Sequence, residues 1–361
     1  MIVGHGGNIY DKARKLGCAP MDVLDMSSNV NPLGPLPGLI HHLTAHMDRI
    51  AALPEAGAES IIQLFSEHYQ IDPKKVLAGN GTTQLIYTLP YALNIKQALI
   101  LGPTYSDYAD ACRMNGAAYR FALTDADRSF HHDLHKIEKE LGSSDAVFIC
   151  NPNNPTGVLI PDEEIRFLCQ KHPDILFIID ESYLPFVSDG ESRSLMTSSQ
   201  SNVLVLNSMS KIFRVPGLRI GFIIASAPLI EKIGAYTLPW SVNAMAQTAV
   251  EYLMTRKQAV SDFIEMTRKF LSIERQFVLQ NLQYAQWITL FPSQTSFILA
   301  ELKKYTSEEI SGILLDDRIL IRDCSNFQGL SNRFIRISLK TRDINQLLVD
   351  RLNFFCNRPE S

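Results

Sequence analysis

The feature that most constrains this chain is a series of short apolar runs, each closed by a polar residue or a turn and followed by a stretch of helical period. Residues 98–101, Ala146–Cys150, Leu176–Asp180, 203–207 and 219–225 read as strands, with helical segments such as Asp162–Lys171 and 228–236 between or beside them. The runs are apolar at nearly every position rather than at alternate ones. That pattern belongs to strands covered on both faces. Alternation of such strands with helices predicts an α/β fold with a mostly parallel sheet sandwiched by helices.

The last third follows another pattern. Residues 250–282 read as one or two long helices. They are followed by strands at 296–302, 319–322 and 334–339 and helices at 307–317 and 343–355, which make a smaller α+β unit. For 361 residues, a prior of about 150 per domain allows two or three domains, and no Gly-, Pro- or Ser-rich linker divides them. The expectation is a large domain over residues 46–250 and a small one assembled from both ends, 1–45 and 251–361.

Composition removes several classes of function. Thirty-four Lys and Arg against 38 Asp and Glu give a net charge of −4, whereas nucleic-acid binding usually leaves a basic footprint. No apolar stretch is long enough to span a bilayer, and Met1–His5 does not start a secretory signal. The six cysteines are scattered and form no C-x-x-C pair. A cytoplasmic protein with reduced thiols, bound to neither nucleic acid nor membrane, is expected. His42 with His46 and His131 with His135 have i,i+4 spacing, but no third ligand or H-E-x-x-H pattern joins them, so no metal is expected. No G-x-G-x-x-G follows a strand, which argues against a nicotinamide cofactor.

In such a sheet, ligands bind beyond the carboxyl ends of the strands. The polar groups predicted there include Asp180, at the end of an apolar run; Lys211, in Ser208-Met209-Ser210-Lys211; and Arg219, at the opening of another run. Singly, each has an ordinary reading: a turn cap, a surface lysine, a strand-edge charge. Together they form a set. Asp180 can face a cationic ring nitrogen, and Lys211 can act as a Schiff-base amine once its pKa is lowered. Arg219 requires an anion, and Ser208, Ser210 and the Gly81-Thr82-Thr83 helix start can donate to a phosphate. These are the parts of a pyridoxal-phosphate site.

Asn154-Pro155-Thr156-Gly157, Asp180-x-x-Tyr183, Ser208-x-Ser210-Lys211 and Pro216-Gly217-Leu218-Arg219 resemble the fold-type I pyridoxal-phosphate enzymes of the aspartate aminotransferase superfamily, over almost the whole chain. The resemblance implies pyridoxal 5'-phosphate carried by Lys211. It implies that Asp180 faces the ring nitrogen, that Asn154 and Tyr183 hold the phenolic oxygen, and that Tyr105 stacks on the ring. Gly81, Thr82, Thr83, Ser208, Ser210 and Arg219 would then take the cofactor phosphate, and Arg336 the substrate carboxylate. A homodimer is implied as well. A non-catalytic binding module on the same fold is disfavoured by the retention of Lys211, Asp180 and Arg219.

Ile321-Arg322-Asp323-Cys324 is similar to the histidinol-phosphate aminotransferase branch of that superfamily. His5-Gly6-Gly7-Asn8, Ser28-Asn29-Val30-Asn31-Pro32 and Leu238-Pro239-Trp240-Ser241 are closer to the threonine-phosphate decarboxylases of cobalamin biosynthesis. This resemblance implies a small phosphorylated amino acid as substrate. His5, Gly6 and Arg322 would meet its phosphate, Asn29 and Arg336 its carboxylate, and Asn154 would also border it. The implied reaction is decarboxylation of L-threonine O-3-phosphate, with L-serine O-phosphate as a variant substrate and histidinol-phosphate transamination as the alternative. One position departs from the pattern: related chains usually carry a tyrosine before a proline near residue 53, where this one has Leu53-Pro54.

Overall fold

The structure, a computed structural model, describes residues 6–356. Its strands in chain order are β1 (Leu24–Asp25), β2 (Val76–Asn80), β3 (Gln97–Gly102), β4 (Ala118–Leu123), β5 (Ala146–Cys150), β6 (Leu176–Asp180), β7 (Val203–Ser208) and β8 (Ile220–Ile224). In the last third they are β9 (Ile288–Leu290), β10 (Phe297–Leu302), β11 (Ile319–Leu320), β12 (Arg322–Asp323) and β13 (Phe334–Ser338). β2 to β8 make one seven-stranded sheet in the order β2-β8-β7-β6-β5-β3-β4. All its strands run parallel except β8, which is antiparallel to both neighbours.

The expected continuous burial holds in the middle of this sheet, where every residue of β5, β7 and β8 is buried. Two of its strands were not predicted. β2 reads Val-Leu-Ala-Gly-Asn, too small and polar to register as an apolar run, and β4 is an edge strand with mixed burial. The reversal of β8 was not predicted either. A parallel return needs a crossover of about a dozen residues or more. Residues 209–219 instead form a compact return made of a short helix (Met209–Ile212) and a 3-10 turn (Pro216–Leu218).

The reversal gathers functional groups. Six strands end at one edge of the sheet, and β8 begins there, with Ile220 opposite Asn80 and Gly221 opposite Ser208. Arg219 does not open the strand as predicted. It lies one residue before it, in the left-handed conformation with φ 55°.

β9, β10, β12 and β13 form a separate antiparallel sheet in the order β12-β13-β10-β9. The predicted single strand at 319–322 is two strands in two sheets: β11 pairs with β1 in parallel, and β12 pairs with β13. The predicted long helical stretch is two helices, Ala244–Met254 and Lys257–Leu282. Asn31 ties the amino-terminal segment down. Its backbone N–H donates to the Lys211 carbonyl (2.9 Å), and its side-chain amide donates to the Ile212 carbonyl and to Thr267 Oγ1, both at 2.8 Å. No described helix is long and apolar enough to cross a membrane.

Candidate active site

A cavity of about 850 Å³ opens at the carboxyl edge of the large sheet, between it and the β12–β13 pair. Of the predicted site residues, Gly6, Asn29, Thr82, Thr83, Tyr105, Asn154, Asp180, Tyr183, Ser208, Ser210, Lys211, Arg219, Arg322 and Arg336 all border it. Gly81 stands just behind the lining with φ 72°, so close to the Arg219 guanidinium that a Cβ there would collide with it. His5 lies outside the described residues.

One wall is built from strand ends and the turns after them. Gly81 opens a twelve-residue helix (Gly81–Ala92) whose start is packed on β8, since a Cβ on Gly221 would come within 2.6 Å of the Thr82 nitrogen. Free amides at a helix start favour an anion. Ser208 Oγ accepts from the Ser210 N–H at 3.3 Å. Ser210 Oγ is buried with no hydrogen-bond partner among the described residues, a costly state for a hydroxyl unless a ligand completes it. This cradle of helix amides, two serines and Arg219 fits a phosphate monoester.

Lys211 follows directly. Burial, then the charges of Arg336 and Arg219, lower its amine to about 8. Asp180, the last residue of β6, accepts from the Tyr108 hydroxyl (2.8 Å) and from the Ser182 N–H (3.0 Å), so its carboxylate is oriented from two sides. Tyr108 is 1% exposed and stacks on Phe148, while Tyr105 meets it edge-on. An amine able to be neutral, an oriented buried carboxylate, an aromatic flank and a phosphate cradle together match the donor set that pyridoxal phosphate requires.

The opposite wall carries the arginines. β12 and β13 place Arg322 directly across from Arg336. Arg336 donates to Asn154 Oδ1 and to the Ser27 carbonyl (2.7 Å), and lies over the Phe297 ring. Its Nε is buried without a partner among the described residues. Arg322 donates to Asn326 Oδ1 (2.6 Å) and lies over Phe327. Burial lowers the pKa of both guanidinium groups, and Arg336 contributes to the lowering at Arg322. Between the walls, the Asn29 amide donates to the Tyr183 hydroxyl (3.2 Å) and its carbonyl accepts from Ser338 Oγ (2.8 Å). Burial, ahead of the opposing influence of Arg336 and Asn29, raises the Tyr183 phenol to about 12.

Sequence reasoning missed several lining residues, among them Asp25, Ser27, Tyr108 and Lys340. Tyr108 had a weak signal, lying three residues after Tyr105 in the first turn of the helix Asp107–Met114. Lys340 had none. It lies just past β13, is 7% exposed, donates to the Ser28 carbonyl (3.3 Å), and is lowered to about 8 by burial. The histidine pairs are apart from the cavity. His46 caps the helix that holds His42, whereas His131 precedes the helix that holds His135. The described residues contain no cluster of three His, Cys, Asp or Glu able to hold a metal.

Comparison with known proteins agrees with this geometry. The family model for aminotransferase class I and II matches residues 21–352. The threonine-phosphate decarboxylase of Salmonella typhimurium is 30% identical over 96% of this chain and 95% of its own. The crystal structure of L-threonine-O-3-phosphate decarboxylase from Porphyromonas gingivalis superposes with a TM-score of 0.82 at 29% identity, covering 93% of this chain and all of that one. The histidinol-phosphate aminotransferase of Clostridium acetobutylicum superposes with a TM-score of 0.85 at 27% identity, over 93% and 99% of the two chains. With a matching model over most of its length and the cavity groups in place, the chain belongs to the class I and II aminotransferase family.

Proposed function

We propose that the protein is a pyridoxal-phosphate-dependent decarboxylase that converts L-threonine O-3-phosphate to (R)-1-amino-2-propanol O-2-phosphate in cobalamin biosynthesis. The observation that carries this reading is the pairing of Arg322 with Arg336 across β12 and β13, facing the cavity that holds Lys211. Two partly or wholly buried guanidinium groups side by side call for two anions on one small ligand. A phosphate and a carboxylate on neighbouring carbons supply them.

The cofactor would be held by Lys211 at its carbonyl carbon, by Asp180 at its ring nitrogen, and by Asn154 and Tyr183 at its phenolic oxygen. Tyr105 would lie against the ring, and Gly81, Thr82, Thr83, Ser208, Ser210 and Arg219 would take its phosphate. When bound, pyridoxal phosphate supplies an electron sink for the pair left at Cα. This chain's residues decide which Cα bond gives up that pair. Arg322, with Gly6 close to it and with His5, would grip the substrate phosphate. Arg336 and Asn29 would grip the carboxylate. Holding both ends fixes rotation about the Cα–N bond, which is a near-attack argument. The bond to the carboxylate breaks, carbon dioxide leaves, and the electron pair becomes a new C–H bond with a proton delivered by Lys211. With its amine near 8, both forms of Lys211 are within reach at physiological pH.

We further propose a cytoplasmic homodimer with a large domain at 46–250 and a small domain built from 1–45 and 251–361. Exposed Ile50, Leu53, Leu238 and Trp240 support association, and the Trp240 N–H donates to the Ala56 carbonyl, bringing their two segments together. The five cysteines whose side chains are described are all free, which supports a reducing compartment. Light scattering tests the dimer. The function is tested by incubating the loaded enzyme with L-threonine O-3-phosphate, and separately with L-serine O-phosphate, while measuring carbon dioxide. A parallel reaction contains histidinol phosphate and 2-oxoglutarate. Transamination of histidinol phosphate without release of carbon dioxide from either phosphoamino acid overturns the reading.

A further inference from the structure

Ser27 is 2% exposed and uses each of its polar groups. Its backbone N–H and its hydroxyl both donate to Asp25 Oδ1, at 2.9 and 2.7 Å, and the Ser28 N–H adds a third donor to the same oxygen at 3.1 Å. With its proton committed to a carboxylate, the Ser27 hydroxyl turns a lone pair outward and accepts from the Gly7 N–H at 2.8 Å. The Ser27 carbonyl accepts from Arg336 Nη2 at 2.7 Å.

The partners on the two sides belong to different ends of the cavity. Gly6 and Gly7 border it beside Arg322: a Cβ on Gly6 would lie 3.5 Å from Arg322 Cδ and 2.7 Å from the Ser27 carbonyl oxygen. Arg336 stands across β12–β13 from Arg322. One buried serine, held in a single orientation by Asp25, thus fixes both the glycine segment and an arginine.

We propose that Ser27 is a positioning residue that couples the Gly6–Gly7 segment to Arg336, so that the phosphate and carboxylate ends of the substrate are gripped as a unit. The inference rests on the proposed reading of the site. Its chemistry is general: a charge-assisted hydrogen bond to Asp25 removes the rotational freedom of the hydroxyl and makes it a directed acceptor. A rigid clamp binds a two-ended anion more tightly than two independent contacts.

The test uses the full-length loaded enzyme and the variant Ser27→Ala. Amide hydrogen exchange by mass spectrometry is followed in the amino-terminal peptide that contains Gly7, with inorganic phosphate as the probe ligand. Faster exchange there than in the parent, and weaker protection by phosphate, are expected, with exchange in β7 unchanged. For L-threonine O-3-phosphate, KM rises roughly three- to tenfold, as loss of one hydrogen bond implies, while kcat stays within about twofold. Rescue by Ser27→Thr, which keeps the hydroxyl, separates this role from packing alone. Unchanged exchange at Gly7, or an unchanged KM, overturns the proposal. If Ser27→Ala does not fold, Gly6→Ala crowds the Ser27 carbonyl that accepts from Arg336, and a rise in KM with faster exchange at Gly7 is expected; no change in either overturns it. If the parent releases no carbon dioxide from the phosphoamino acid, the reading of the function fails. The exchange measurement with inorganic phosphate then still decides the role of Ser27.

Discussion

The two walls of the cavity handle charge in opposite ways. On the large-sheet wall, strands are apolar and charges wait until the strands end: Asp180 closes β6, and Lys211 follows β7 in the short helix Met209–Ile212. Both signs are present, and Asp180 partly offsets the lowering of the Lys211 amine. On the small-sheet wall the charge is inside a strand. Arg336 is the middle residue of β13, with Ile335 and Ile337 buried on either side, and a second guanidinium lies across the ladder. Neutral acceptors satisfy part of Arg336, and its Nε has no partner among the described residues. The first wall thus sets one carboxylate beside Lys211 and Arg219. On the second, Asp25 and Asp323 offset part of the charge on Arg336 and Arg322, and two guanidinium groups side by side still favour a bound anion, which is the arrangement expected of a recognition surface.

That contrast can be broken most severely at Lys211. Lys211→Ala is expected to lower carbon dioxide release by about a thousandfold or more, because it removes both the covalent anchor and the proton donor. Borohydride labelling followed by peptide mapping should lose its mark at the same position. On the other wall, Arg336→Ala leaves neighbours unpaired and should cost about 2–5 kcal/mol in kcat/KM, and Arg336→Lys should recover little because the planar fork is lost. Arg322→Ala should lose most of the rise in melting temperature that L-threonine O-3-phosphate gives the loaded parent, a rise worth about 2.7 kcal/mol when ligand is at 100 times its Kd.

A subtler test uses pH. Lys340 is lowered to about 8 in the folded chain, against about 10.4 when unfolded. The unfolded state therefore binds more protons between those values, so stability from this residue rises with pH across that window. Below pH 8 both states are charged and the burial cost is fully present. Lys340→Met should therefore be more stable than the parent at pH 7, by an amount on the order of 2 kcal/mol, and this advantage should shrink above pH 8 and vanish near pH 10.5. Melting curves of the cofactor-free proteins check it; a constant difference across pH contradicts it. The smallest effect belongs to Tyr108→Phe. It removes one donor to Asp180, and kcat should fall about tenfold while the fold is retained.

The same contrast explains what the sequence made legible. Strand-end groups announce themselves, because an apolar run followed by Asp180 or by Ser208-x-Ser210-Lys211 breaks a clear pattern. The core strands were read nearly to the residue for the same reason. β2 escaped because its alanine and glycine are small where a helix start packs closely, and β4 because an edge strand alternates. Arg322 and Arg336 stood out only through resemblance to other chains. The contacts of the Ser27 carbonyl and of Lys340 were invisible, since their partners lie more than 300 residues away in the chain; the local Asp25–Ser27 turn reads as an ordinary loop until Arg336 and Gly7 meet it. Pattern in one dimension reports local periodicity, whereas these contacts depend on how two ends of the chain meet.

The reversed strand β8 has a kinetic consequence. β7 and β8 form a local pair closed by a short return, whereas β2 must come from far upstream to reach β8. Contacts of low sequence separation form sooner than those closing long loops. Lys211 and Arg219 would then be in place early, while the Gly81–Thr83 amides would join them late. A ligand that needs both halves should slow unfolding and leave refolding almost unchanged, and chevron plots with and without cofactor would show the difference in one limb.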